Sequence, residues 1–516
     1  MLVDPGSELT FISRSLVKQL QLPRQSSTIP ILGIGGSHSG QTCGAVSEEV
    51  PSSPANLLTP EEADCEAHFK ATHSRDPSGR YIVRLPFKSP ATQLGNSQRT
   101  AQACLQRLLR RFSSDEPYRL RYSSFMREYE ELRHIVRTPL PGPDSTPVYY
   151  LPHHGVLKGD DIRVVFNGSS VTSTGLSLND LLHTGAKLQS NISDVLLWIR
   201  QHRYIFITDI RKMFPHHGHL RHQISPILGD PSSLPLVEDE GTNYPLAVDP
   251  LLKGRYVDDT SGDPDTFEKL VATALQLVDL CKAGGFPLAK WQSNHPRLCE
   301  AISSSTGSPT SHSFSDGQGK ILGITWQSEP DQFTFLSRPP TASPVTKRTI
   351  LSEVAQLFDP LGFLSPVTIR AKMLLQELWL EKIDWDEPLT PLLRHRWTQF
   401  RKDLSRITVP RWLGLAPSAH IEIHGFSDAS QLAMAAAVFI KVTLPSAEPT
   451  ITLVCAKTKV APLKRLTIPR LELTAALLLA RLVNYVQRTL GLTMVAIFLW
   501  IDSSAVRTWI NSHPSR

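Results

Sequence analysis

Gly254-Arg255-Tyr256-Val257-Asp258-Asp259-Thr260-Ser261-Gly262 sets two adjacent carboxylates between an aromatic and β-branched pair and a Thr-Ser-Gly run. β-Formers on both sides predict a hairpin carrying Asp258 and Asp259 on its tight turn. Like charges crowded on a turn repel, and a divalent cation relieves the repulsion. In chemistry that joins or cuts phosphodiesters, carboxylates hold two metal ions that stabilise the attacking and leaving oxygens. Asp-Asp on a turn is also an ordinary solvated turn. A second segment decides between the two.

Working outward, Tyr204-Ile205-Phe206-Ile207-Thr208-Asp209-Ile210-Arg211-Lys212-Met213-Phe214 reads as an apolar buried strand that ends in a carboxylate. Beside the hairpin it would bring Asp209 and Asp258 to one edge of a single sheet. Downstream, Thr266 to Lys282 has the apolar spacing of a helix and leads into Gly284-Gly285-Phe286-Pro287-Leu288-Ala289-Lys290. Lys320-Ile321-Leu322-Gly323-Ile324-Thr325-Trp326 then reads as a short strand.

In this order the segments resemble the palm of reverse transcriptases, and their wording is most similar to the Pol polyprotein of BEL/Pao long-terminal-repeat retrotransposons. The resemblance implies an RNA-directed DNA polymerase that extends a primer on an RNA or DNA template with deoxynucleoside triphosphates and Mg²⁺ (or Mn²⁺). It assigns Asp209 and Asp258 to the metals, with Asp259 close by, and Lys290 to the substrate. Phe214 would exclude a 2′-hydroxyl. Upstream, 149–158 and 162–167 read as a hairpin. By resemblance it belongs to the fingers, and its Lys158 and Arg163 would meet the incoming triphosphate.

At 516 residues the chain predicts several domains. Lys plus Arg exceed Asp plus Glu by 54 − 48 = 6, which permits a polyanionic partner. The excess concentrates between Gln98 and Arg137, where nine arginines face five acids on a helical pattern, either a phosphate-contacting face or a solvated one. Six cysteines without a Cys-x-x-Cys pair fit a reducing compartment. No apolar run is long enough to span a membrane, and Asp4 and Glu8 near the start argue against a signal peptide. Cytoplasmic localisation follows by analogy, with nuclear access left open.

The opening Leu2-Val3-Asp4-Pro5-Gly6-Ser7 resembles the catalytic turn of retroviral-type aspartic proteases, which act as homodimers; Asp4 would be the catalytic acid. The glycines of 33–40 suggest a hairpin in the same piece. Thr59-Pro60-Glu61-Glu62 signals a capped helix start, and 79–86 a strand. Between Pro215 and Lys253 stand six prolines. No long helix fits there, which leaves the palm partly clipped relative to the family.

Near the C-terminus the pattern βββαβα places Asp428 on the first strand, Glu472 in the first turn of a helix from Pro469, and Asp502 at the end of the fourth strand. This resembles ribonuclease H, in which such acids bind two Mg²⁺ and activate water. The expected architecture is α+β and multidomain. Its parts are a truncated retropepsin-like β segment (1–46), reverse transcriptase fingers (57–190) and palm (191–330), a helical thumb and connection (331–415), and a C-terminally truncated RNase H-like domain (416–516). Two other functions fit the residues: a catalytically degenerate, retroelement-derived nucleic-acid-binding protein, and a retropepsin-type endopeptidase.

Overall fold

The structure, a computed structural model, describes residues 30–32, 38–41, 58–132, 134–138, 148–159, 161–183, 185, 190–210, 235–256, 259–262, 266–306, 318–335, 344–403, 407–445 and 447–512. The chain is a mixed α+β protein. Pro30–Leu32 (β1) pairs antiparallel with His38–Gln41 (β2), as the glycine-rich loop suggests. Helix α1 (Pro60–Thr72) starts in a reciprocal capping box between Thr59 and Glu62. The strand expected over 79–86 is shorter: only Tyr81–Ile82 (β4) pairs with Ser74–Arg75 (β3). Any extension past Ile82 would need the residues before Ser74, and those close α1.

The arginine-rich stretch forms two helices, α2 (Gln98–Ser114) and α3 (Glu116–Glu131), broken where the Asp115 carboxylate accepts the Tyr118 N–H at 3.1 Å. Their arginines are exposed, and several are spent on neighbours: Arg119 on Glu116 and Arg111 on the face of Tyr118, while Arg137, beyond α3, pairs with Glu130. Tyr118, Tyr122 and Tyr129 pack against Val164 and Phe166 of the expected hairpin, β5 (His153–Lys158) and β6 (Asp161–Phe166).

Helix α4 (Ile192–Gln201) leads into β7 (Phe206–Ile210). In the described part of the proline-rich stretch, α5 (Pro235–Glu240) and α6 (Pro245–Leu252) each begin at a proline, where the missing N–H costs nothing. Strands β8 (Arg255–Tyr256) and β9 (Asp259–Gly262), helix α7 (Phe267–Ala283), strand β10 (Leu288–Ser293) and helix α8 (Arg297–Thr306) follow. The sheet runs β10-β7-β9-β8 with every pair antiparallel. Successive β7 residues join opposite layers. Phe206 packs with Leu236, Leu251, Leu270 and Leu277, whereas Ile205 and Ile207 join α4 and Trp326. Burial on both faces explains the near-continuous apolar run.

The strand read at 320–326 is instead a hairpin. β11 (Gln318–Ile321) and β12 (Ile324–Gln327) are joined by Leu322 and Gly323, both at positive φ (48° and 93°). Two such residues make the tight turn that matches strand twist. β13 (Gln332–Phe335) continues the sheet. After α9 (Lys347–Ala355), α10 (Ser365–Leu380) and α11 (Pro391–Asp403), β14 (Ile407–Pro410) returns to close it in the order β11-β12-β13-β14.

The last sheet has the order β17-β16-β15-β18, from β15 (His420–Ala429), β16 (Ala433–Thr443), β17 (Thr450–Val460) and β18 (Ala496–Trp500); β15 and β18 are parallel. Helix α12 (Ile468–Thr489) packs against β15 and β16 through Leu478, Leu479, Leu482 and Val486, and α13 (Ser504–Asn511) follows β18. The hydrophobic core runs without a break from α4 and β7 through β11–β14 into this sheet. Two arginines with no exposed surface sit in the seam. Arg200 donates to the carbonyls of Pro410, Arg411, Leu453 and Val454, and Arg411 makes a two-pronged pair with Asp331 at 2.7 Å for both bonds.

Candidate active site

Strand β7 lies between β9 and β10, and its register brings three expected residues together. Asp209 is the cross-strand partner of Asp259 on one side and of Ala289 on the other. Directly opposite residues hold their Cβ atoms about 4.5–5.5 Å apart, and like charges there repel. The compensating charge comes from Lys290. The β10–β7 register slips between Ala289 and Gln292, and Lys290 within that bulge takes φ 57°. A bulge of this kind re-aims a side chain. Here it turns the Lys290 ammonium onto the Asp209 carboxylate, as a donor to Oδ2. The backbone behind the acid is fixed as well, since the Thr208 hydroxyl donates to the Ala289 carbonyl at 2.9 Å. Positive φ at a non-glycine is a strained conformation of the kind that clusters at functional sites.

Asp258 and Phe214 lie outside the described residues, as does Asp4. Arg163 is exposed on β6, and the register Val156↔Arg163 and Lys158↔Asp161 sets positions 158 and 163 on one face of the β5–β6 hairpin.

In the C-terminal sheet, the parallel β15–β18 ladder ends at Phe426↔Trp500, and Asp428 and Asp502 each lie two residues beyond that pair. Glu472 falls one residue past the first turn of α12, because the helix starts at Ile468 and not at Pro469. Its neighbours Leu471 and Ala475 pack on Met434 and Ala429, so the N-terminal end of α12 sits over the end of β15 that carries Asp428. Asp428 and Asp502 are exposed and Glu472 is half-buried. Among the described residues, no three His, Cys, Asp or Glu side chains converge closely enough to hold a metal ion. The paired carboxylate oxygens of Asp209 and Asp259 are hard donors, the type that Mg²⁺ and Mn²⁺ take.

Sequence reasoning missed the partner of Lys290 and the two buried arginines. A signal existed for Arg200, a charge directly after the apolar run Val195-Leu196-Leu197-Trp198-Ile199, where a long cation with no solvent must find carbonyls. No helix among the described residues is long and apolar enough to cross a membrane.

Residues 346–503 match the family model described as the Pao retrotransposon-like RNaseH-like domain. Over those residues the match bears out the resemblance read from the sequence. No curated protein matches the chain. Among solved structures, the chain is similar to the foamy viral protease-reverse transcriptase dRH in complex with double-stranded DNA. That likeness has 11% identity over 99% of this chain and 91% of the other, with a TM-score of 0.45. A foamy viral protease-reverse transcriptase with double-stranded DNA gives 12% identity over 90% of each chain and a TM-score of 0.42. The same enzyme with an RNA/DNA hybrid gives 13% identity over 70% of this chain and 48% of the other, with a TM-score of 0.39.

Proposed function

We propose that this chain, a segment of the Pol polyprotein of a Pao/BEL-type retroelement, is an RNA-directed DNA polymerase that extends a primer from the β7–β9 sheet edge. The observation that carries the reading is the register that sets Asp209 opposite Asp259, with Lys290 turned onto Asp209 by a bulge. In this reading residues 57–190 are fingers, 191–330 palm, 331–415 thumb and connection, and 416–516 the RNase H-like region. Asp209 and Asp259, with Asp258 next to it in the chain, would hold Mg²⁺ or Mn²⁺, which when bound supplies Lewis-acid stabilisation of the transferring phosphoryl group. Lys290 carries a positive charge to the same place; with substrate present, its ammonium is free to leave Asp209 for a phosphate oxygen. Arg163, and Lys158 by its position on the same hairpin face, offer cationic groups for a triphosphate. Phe214 selects against a 2′-hydroxyl by filling the space beneath the sugar.

A second reading, a nucleic-acid-binding protein without catalysis, is favoured by the exposed arginines along α2 and α3, which offer phosphate contacts away from the β7–β9 sheet edge.

Primer extension on an RNA template with Mg²⁺ or Mn²⁺ separates the two. Asp209→Asn is expected to lower extension by more than about 10²-fold while leaving template binding intact, and Lys290→Ala to lower it less. Equal extension by Asp209→Asn and the unaltered chain would remove the site. Salt-sensitive template binding without extension in any form would leave the second reading.

A further inference from the structure

A cavity of about 410 Å³ lies where the end of α9, the turn before α10, strand β17 and helix α12 meet. Its size falls in the range of small-molecule sites. Leu357, Leu361 and Leu482 give it an apolar wall. Polar side chains line it as well, among them Asp359, Lys372, Lys457 and Thr458, and their hydrogen bonding is unequal. The Asp359 carboxylate is fully engaged: its two oxygens accept the N–H groups of Phe363 at 2.9 Å and Leu364 at 2.7 Å. The half-buried Lys372 ammonium is drawn electrostatically to Asp359, yet among the described residues it makes no hydrogen bond and no ion pair. The Thr458 hydroxyl oxygen is shut off from solvent with no partner among the described residues.

Buried polar groups are almost always paired, and an unpaired one costs free energy comparable to a lost hydrogen bond. The Thr458 hydroxyl is such a group, and a single acceptor between it and the half-buried Lys372 ammonium on the same cavity would pair both. Lys372 supplies up to three N–H donors and Thr458 one O–H. An anionic head satisfies both and balances the ammonium, while the leucines take an apolar body. The Asp359 charge on the same wall disfavours a second negative charge on the ligand.

We propose that this cavity binds a small organic monoanion, a carboxylate on an apolar body, held by the Lys372 ammonium and the Thr458 hydroxyl. The site lies outside the β7–β9 sheet edge and does not depend on the polymerase reading. Because its walls come from α9–α10 on one side and β17 and α12 on the other, an occupant bridges the connection helices and the RNase H-like sheet.

The test is calorimetric titration of the full chain with benzoate, its neutral isostere benzamide, and phenyl phosphate. Benzoate is expected to bind, benzamide at least about tenfold more weakly, and phenyl phosphate no better than benzoate. Lys372→Met is expected to weaken benzoate by about tenfold or more and to leave benzamide unchanged; Thr458→Val should weaken benzoate by a smaller factor. The three-ligand comparison on the unaltered chain needs no variant to fold. Equal binding of benzoate and benzamide, unchanged benzoate affinity in Lys372→Met, preference for phenyl phosphate, or no benzoate binding up to roughly 10 mM would each overturn the assignment.

Discussion

Replacing Arg200 with Met tests whether the seam between the sheets is held by one buried cation. The methionine keeps most of the aliphatic stem and removes the guanidinium. In the structure that group has no exposed surface and donates to Arg411 O at 2.9 Å, Val454 O at 2.7 Å, Leu453 O at 2.8 Å and Pro410 O at 3.2 Å, with the Phe363 ring 4.8 Å away. Burial pushes its pKa down to about 9, so it remains charged at neutral pH but at a desolvation cost. Each carbonyl left without its donor costs about 1–3 kcal/mol. Relief of the buried charge returns several kcal/mol. The net loss is then about 3 kcal/mol, confined to the contact between β14 and β17. Hydrogen exchange read by mass spectrometry should show roughly 10²-fold faster exchange around 410–413 and 453–456, since each 1.4 kcal/mol is tenfold. Protection in α3 and α7 should not change. Unchanged or slower exchange at the seam in Arg200→Met would refute the reasoning, because it would mean the desolvation cost matches everything the four bonds supply.

Gly362→Ala should be comparably damaging for a different reason. Gly362 has φ 75° and a Cβ there would sit 1.8 Å from the Ala456 carbonyl oxygen, so the turn must lift off β17 and lose the 2.9 Å bond from Ala456 N–H to Leu361 O. Left-handed strain of about 1–2 kcal/mol and one lost hydrogen bond of about 1 kcal/mol predict a loss near 3 kcal/mol by urea denaturation. A midpoint equal to that of the unaltered chain would show the turn is not docked this way. Acid should act through Glu422, whose carboxyl is held down from 4.5 to about 2 by the hydrogen bond from Lys441 at 2.9 Å and by His424 at 3.2 Å. Because the folded value lies below the unfolded one, its contribution is present above pH 4.5 and lost as pH falls towards 2. A melting-temperature profile over that window should be flatter in Glu422→Gln, and identical slopes would count against the pairing.

Much of the local structure was legible because local chemistry sets it. The Thr59-Pro60-Glu61-Glu62 cap, the Asp-ended apolar strand, and the strand and helix succession from 420 to 511 all follow from periodicity and turn residues within a few positions. Local patterning also misled where two states share one pattern. Lys320 to Trp326 alternates like a strand whether or not it folds back at Leu322-Gly323, and only the pairing of β11 with β12 decides it. The site divides the same way. Sequence supplied Asp209, Asp259 and Lys290 and the expectation that the Asp-ended strand lies beside the hairpin; the direct opposition of Asp209 and Asp259 and the bulge that turns Lys290 onto Asp209 are matters of register between strands about 50 to 80 residues apart. The buried Arg200 and Arg411, the return of β14 to β13, and the cavity at Lys372 are likewise products of tertiary structure. Composition and spacing determine which faces are apolar and where the chain turns. Which distant faces meet, and therefore which buried charges find acceptors, depends on packing energies summed over the whole core, and no local stretch of sequence contains that sum.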